Sequence, residues 1–313
     1  MRARPAALTV MVALAACGTT PRFSPAQPVV AALELDAPYR GGAAAMSAAA
    51  DAQMVAIPAS RSIAGSTPEE RAQAVDDWAA GAGRDGAPAR SWFEQEEDRH
   101  IVEVPGFRID LLPVTNAAYA EFVADGGAPA PSMDAETWKR QGFQQDWATQ
   151  VARFVWPEGR PPPGREDHPV VLVSWDDAAR YCAWRGHVVG AARRLPSAHE
   201  FEKAARGDAG LAYPWGQAWS AERVNSAVGG PGDTVAVGSN PGAISPTGVL
   251  DLAGNVFQWT GTPWPPDQRA TAKMTVKGSA WDDYPGLGRG ASWHGRPRGA
   301  RHVIVGFRCA GPM

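Results

Sequence analysis

The 313-residue chain carries a formal net charge of −3, with acids and bases interspersed and no run of Lys or Arg, which removes the electrostatic case for nucleic acid. Its length accommodates one large domain or two small ones. A hydrophobic content of 44%, with 13 tryptophans, 34 glycines and 28 prolines, points to a globular body rich in turns and aromatic anchors.

Residues 1–17 read as a targeting segment. Arg2 and Arg4 form a positive start, and Leu8 to Ala16 is apolar but too short to cross a bilayer as a helix. Leu14-Ala15-Ala16-Cys17 resembles the lipobox of bacterial lipoproteins, which predicts lipidation of Cys17 and anchoring by several acyl chains. An ordinary cleaved signal with an incidental cysteine is the alternative. Gly18 follows where an Asp would signal inner-membrane retention, so in a Gram-negative source the expected place is the outer membrane, facing the periplasm. Residues 18–50, rich in Ala and Pro without a periodic face, predict a flexible tether, with the folded domain spanning 51–313.

Met54 to Pro58 predicts a short strand. Thr67-Pro68-Glu69-Glu70 predicts a helix start, running through about Trp78, with residues 80–91 as loop. Arg99 to Asp110 alternates and predicts paired strands. Pro113-Val114-Thr115-Asn116 predicts the cap of a helix carrying Tyr119, Phe122 and Val123. Residues 128–166 hold Trp138, Phe143, Trp147, Phe154 and Trp156, which are read as core in preference to a groove lining.

Val170 to Val173 is an apolar, β-branched run that predicts a buried strand. Ser174 is the expected N-cap of a helix with Asp176 and Asp177 in its first turn, ended by Gly186. Ser197 and Glu200 form a capping box for a second helix ended by Gly207. Residues 225–241 predict a Gly-rich loop. Cys182 and Cys309 remain once Cys17 is set aside, and an exported chain with an even pair favours a disulfide, with two buried thiols as the alternative.

The ordered motifs resemble those of the formylglycine-generating enzyme, or sulfatase-modifying factor, family over about residues 54–310. They are Ser174-Trp175 with Tyr181-Cys182-Ala183-Trp184, Arg194-Leu195-Pro196 with the helix behind it, Pro214-Trp215-Gly216, Gly248 to Thr260, Gly278-Ser279-Ala280-Trp281 and Gly306 to Ala310. The resemblance implies an α+β fold, a variant of the C-type lectin-like fold, with an antiparallel sheet core and little regular structure. It implies a Cys182–Cys309 bridge, on the order of 4 kcal/mol in the chain-entropy model.

The family's copper(I) is held by two thiolates, and the resemblance sets Asp283 and Gly288 at those positions. A soft ion needs sulfur, so copper and formylglycine generation are not expected here. The resemblance also implies a structural calcium at Asp251, Gly254, Val256 and Gln258, where an uncharged Gln replaces a Glu, and a second set at Asn225 and Ser226. Asp282, Asp283, His294 and His302 offer a mixed His/Asp set that matches no known ligand spacing, and a solvated turn is the favoured reading. Two functional expectations follow. In one, a binding or assembly module contacts a protein, peptide or glycan through Trp281, Asp282, Asp283, Trp293 and His294, while the lipid anchor supplies the membrane contact. In the other, the chain is an oxidase of altered chemistry acting on an exported protein or a secondary metabolite.

Overall fold

Two prolines break what would otherwise be one long antiparallel ribbon near the N-terminus. The computed structural model describes residues 45–143, 146–265 and 272–313, so Cys17, the targeting segment and most of the expected tether lie outside the described residues. In chain order α1 (Ala45–Ala52), β1 (Val55–Ile57), β2 (Ser60–Ala64), α2 (Pro68–Ala82), α3 (Ala87–Phe93), β3 (His100–Val104) and β4 (Phe107–Ile109) come first. β1 pairs with β4 and β2 with β3 in one continuous register, Ile57 opposite Phe107 and Ser60 opposite Val104. Pro58 and Pro105 lack the N–H a ladder needs. The chain therefore kinks there, and β3 and β4 pair with other strands rather than with each other as the alternation predicted.

α4 (Asn116–Ala124), α5 (Ala135–Arg140), α6 (Trp175–Val189) and α7 (Ala198–Arg206) follow. Then come β5 (Phe257–Pro263), β6 (Lys273–Lys277), β7 (His294–Pro297), β8 (Val305–Phe307) and β9 (Ala310–Pro312). β9 closes a three-stranded sheet in the order β1-β4-β9, and a four-stranded sheet runs β7-β6-β5-β8. β5 and β8 are parallel, a departure from the purely antiparallel core expected. Helices and short sheets together make the α+β architecture.

The expected caps are present. Thr67, Ser174 and Ser197 each accept from the third backbone N–H of the helix that follows, and the acid at that position returns the bond. Four local expectations change. α1 begins inside the stretch read as tether, tied down by Asp51 to Arg193 at 2.6 Å. α3 occupies part of the expected loop at 80–91. Residues 170–173 are buried but form no strand, because Leu172 turns to a φ of 59°. α6 runs past Gly186 to a left-handed Gly190 cap; Gly186 is needed mid-helix because a Cβ there would lie 2.6 Å from the Ala191 carbonyl oxygen.

The largest core gathers α4, α6, residues 170–173, β5 and β8, and takes in the aromatic lobe: Trp138, Phe154 and Trp156 are buried, and Phe143 and Trp147 pack against them. The Cys182–Cys309 disulfide ties α6 to the turn after β8 across this core, with Cα atoms 5.6 Å apart. A second core lies between α7 and β1–β4, and a third between α2, α3 and Leu287.

Candidate functional site

The segment between β6 and β7 carries the positions of interest, and α2 with α3 form its roof. Trp78 meets the Tyr284 ring edge-on at 5.6 Å, and Pro285 packs where Gly81 leaves room. Ahead of Tyr284, buried Trp281 packs into the first core against Phe154, half-buried Asp282 and Asp283 follow it, and β7 carries half-buried His294 and Arg296. The His294 ring meets Phe257 at 5.4 Å and Trp92 at 6.5 Å, and Trp92 stands exposed at the rim. Trp293 is turned away: its Nε1 donates to the Gln95 carbonyl at 2.7 Å and its face lies under the Lys277 ammonium.

Three buried polar atoms around Phe257 have no hydrogen-bond partner: Asp282 Oδ1, His294 Nε2 and Arg296 Nε. Trp281 Nε1 and Ser292 Oγ, in the same segment, are partnerless too, but the Trp281 ring stacks on Phe154 at 6.4 Å under Arg153. Buried polar groups are nearly always paired, so the three together single out this place as a candidate ligand site. Their electrostatics agree. Burial, with Arg296 and Lys277 nearby, pushes the His294 pKa down to about 3, so the ring is neutral at physiological pH. Burial raises Asp282; burial together with the charge of Asp282 raises Asp283 well above the usual carboxylate range. Burial lowers Arg296 against the pull of Asp283 and Asp282. The site thus offers N–H donors, an acceptor carboxyl and a neutral imidazole beside aromatic faces. The sequence reading singled out Trp281, Asp282, Asp283 and His294 but missed Arg296 and Trp92. A Trp two hundred residues upstream carries no local signal of its place, and Arg296 looks like an ordinary solvated base.

The donors present do not fit copper. Asp283 Oδ2 accepts from the Ala280 N–H at 2.8 Å, and Gly288 offers no side chain. A Cβ at Gly288 would stand 3.2 Å from the Trp219 ring and 3.3 Å from Ser279 Oγ, which is tighter than ordinary contact. Cys182 and Cys309 are joined to each other, so among the described residues no thiolate is left.

Several atoms of the expected calcium set carry hydrogen bonds. Asp251 Oδ2 accepts from the Gly238 N–H at 2.8 Å, and the Gly254 carbonyl from the Val256 N–H at 2.8 Å. Gln258 Oε1 accepts from Arg308 Nε at 2.6 Å while its Nε2 donates to the Asp251 carbonyl at 2.7 Å. Calcium would have to share that amide oxygen with a guanidinium, and burial raises rather than lowers the Asp251 pKa. At the second set Asn225 Oδ1 is buried without a partner, and the Ser226 carbonyl accepts from Gly230 N–H at 3.1 Å. The nearby Asp233 carboxylate is held by Arg165 at 2.5 Å and Arg153 at 3.4 Å, so only neutral oxygens remain for an ion that favours charged ones. His302 does not join Asp282, Asp283 and His294; it is buried against Phe143 and Trp138, and its Nδ1 accepts from the Ile304 N–H at 3.2 Å.

Comparison with known proteins gives the family. Inactive Cα-formylglycine-generating enzyme 2 of Mus musculus is 34% identical over 266 residues, 73% of this chain and 79% of that one. Hercynine oxygenase of Mycolicibacterium smegmatis is 32% identical over 224 residues, 64% of this chain; the chain spans 49% of that enzyme's length. The structure of PvdO from Pseudomonas aeruginosa superimposes with a TM-score of 0.61 at 22% identity, covering 83% of this chain and 94% of that one, a likeness of fold. Residues 48–312 match the sulfatase-modifying factor enzyme 1-like domain, and the chain belongs to that family.

Proposed function

We propose that this chain is a member of the family that binds a polar ligand and does not generate formylglycine. The observation that carries the reading is the group of partnerless polar atoms on Asp282, His294 and Arg296, next to Asp283. Donors and acceptors beside Phe257 and Trp92 suit an exposed segment of a protein or peptide, or a sugar ring, each of which offers polar groups on a flat or apolar frame. That the mouse relative is described as inactive supports the loss of the oxidase reaction. On the same footing we propose that Cys17 is lipidated and that the domain works at the periplasmic face of the outer membrane, where a ligand exported with it is within reach.

The test is co-purification from membranes with the wild-type chain and with Arg296→Ala and Asp282→Asn variants. A partner retained by the wild type and depleted about tenfold or more in both variants, with unchanged melting temperatures, supports the proposal, since removal of an anchoring contact costs more than about 1–2 kcal/mol. Equal retention by all three proteins contradicts it. A second reading, an oxidase of altered chemistry, draws on the hercynine oxygenase relative. Ligand-dependent oxygen uptake by the purified chain would favour it.

A further inference from the structure

On the opposite flank of α7 from its core face, three side chains converge that neither the family match nor the site above employs. We propose that Glu97, His100 and His199 form a binding site for a divalent first-row transition ion, of which zinc is the reference. Each residue offers one ligand atom, and these atoms all lie within 4.8 Å of one another. His199 Nε2 stands 2.8 Å from Glu97 Oε2. Bonds of about 2.0–2.2 Å to nitrogen and oxygen at tetrahedral angles set donors about 3.4 Å apart, so the hydrogen-bonded pair opens by about half an ångström and the His100 ring swings in by about an ångström to admit an ion. The His100 and His199 rings meet edge-on at 5.8 Å. Two imidazoles and one carboxylate suit zinc and its neighbours in the first row and leave coordination positions open to solvent.

The surroundings show a prepared set of ligands. His100 Nδ1 lies 2.8 Å from the Asp98 carbonyl oxygen, which can only accept. Nδ1 therefore carries the proton and Nε2 presents its lone pair, the arrangement an outer partner imposes on a metal-bound imidazole. His199 sits in the first turn of α7, where the Ser197–Glu200 capping box fixes the backbone. His100 opens β3, paired to Ala64 of β2. The Glu97 carbonyl accepts from the Ser66 N–H at 3.0 Å and from Arg71 at 2.9 Å, which holds that loop in place. Glu97 and His199 are partly exposed and His100 is exposed, so an ion has a way in. The groups that face His199 are Glu97, Glu202, Lys277 and the His100 ring. In the metal-free site His199 Nε2 and Glu97 Oε2 share a hydrogen bond; zinc taking both atoms displaces that proton, which leaves to solvent.

The experiment is titration of the chelator-treated full-length chain with zinc sulfate, followed by calorimetry and by the absorption of bound cobalt. One equivalent is expected to bind at neutral pH, with proton release, and uptake is expected to weaken as the pH falls below the neutral range. His199→Ala and Glu97→Gln should each weaken binding at least about 100-fold and abolish the cobalt spectrum; His294→Ala should leave both unchanged, since the ligand site above is separate. If His199→Ala fails to fold, Glu97→Gln with its near-identical shape carries the comparison alone. No uptake by the folded wild-type chain, or uptake that survives Glu97→Gln undiminished, overturns the proposal. Loss of partner binding in the Arg296 variant has no bearing on the zinc result.

Discussion

Charges enclosed in the fold are kept only where partners meet them. Glu202 is buried, and burial alone would raise its pKa. Lys277 at 3.0 Å and Arg206 at 2.6 Å reverse that and hold it below the usual range. Lys277→Met leaves this carboxylate with one cation and should destabilise the chain by about 3–5 kcal/mol in urea unfolding; a loss under about 1 kcal/mol would show that the pair is dispensable. His302 tests the opposite case, a neutral group enclosed. Burial and Arg296 push its pKa down to about 3, against about 6.5 when unfolded. Between those values the unfolded chain binds the extra proton, so stability rises with pH and is lost as pH falls through the window. The ring contributes a slope of up to about 1.4 kcal/mol per pH unit. His302→Gln should flatten the melting temperature between about pH 6.5 and pH 3 relative to the wild type; parallel curves would contradict the assignment.

Elements add what single residues do not show. The α2–α3 pair covers the 284–288 segment through a core of its own made by Ala74, Val75, Trp78, Ala89, Phe93 and Leu287. Trp78→Ala should cost about 3–5 kcal/mol and speed hydrogen exchange at residues 284–288 before the rest of the domain. Exchange that rises only with global unfolding would mean the roof is not a separate unit. The bridge between α6 and the turn after β8 closes 127 residues; replacing both cysteines by Ala should cost about 4 kcal/mol. Much of this was legible in the sequence. The helix start at Thr67 and the capping box at Ser197 rest on local chemistry, and the family motif supplied the pairing of Cys182 with Cys309; the structure has all three as read. Residues 170–173 misled because a β-branched run marks burial as readily as a strand. α3 was hidden because Gly86 and Pro88 look like loop punctuation when Pro88 in fact stands in the helix's first turn. Of the site, the 281–294 residues were legible through their motif. Arg296, Trp92 and the Glu97–His199 contact arise from tertiary folding, which no short window reports.

At the scale of the molecule the fold is that of its family, and the difference lies in the chemistry it presents. The sheet β7-β6-β5-β8 carries the segment between β6 and β7, and the α2–α3 pair covers part of it. Asp283 and Gly288 stand at the positions the resemblance gives to the thiolates, and Asp282, His294 and Arg296 beside them bring a carboxyl, a neutral imidazole and a guanidinium with partnerless polar atoms. Such a set lacks the sulfur donors monovalent copper takes, and its polar groups are those on which the proposal of a polar ligand rests. The most direct measurement incubates the copper-treated full-length chain with a sulfatase-derived cysteine peptide in air and reads the peptide by mass spectrometry. The account predicts the unmodified cysteine, at the level of a protein-free control. Formylglycine in the peptide, formed in proportion to added chain, would contradict it.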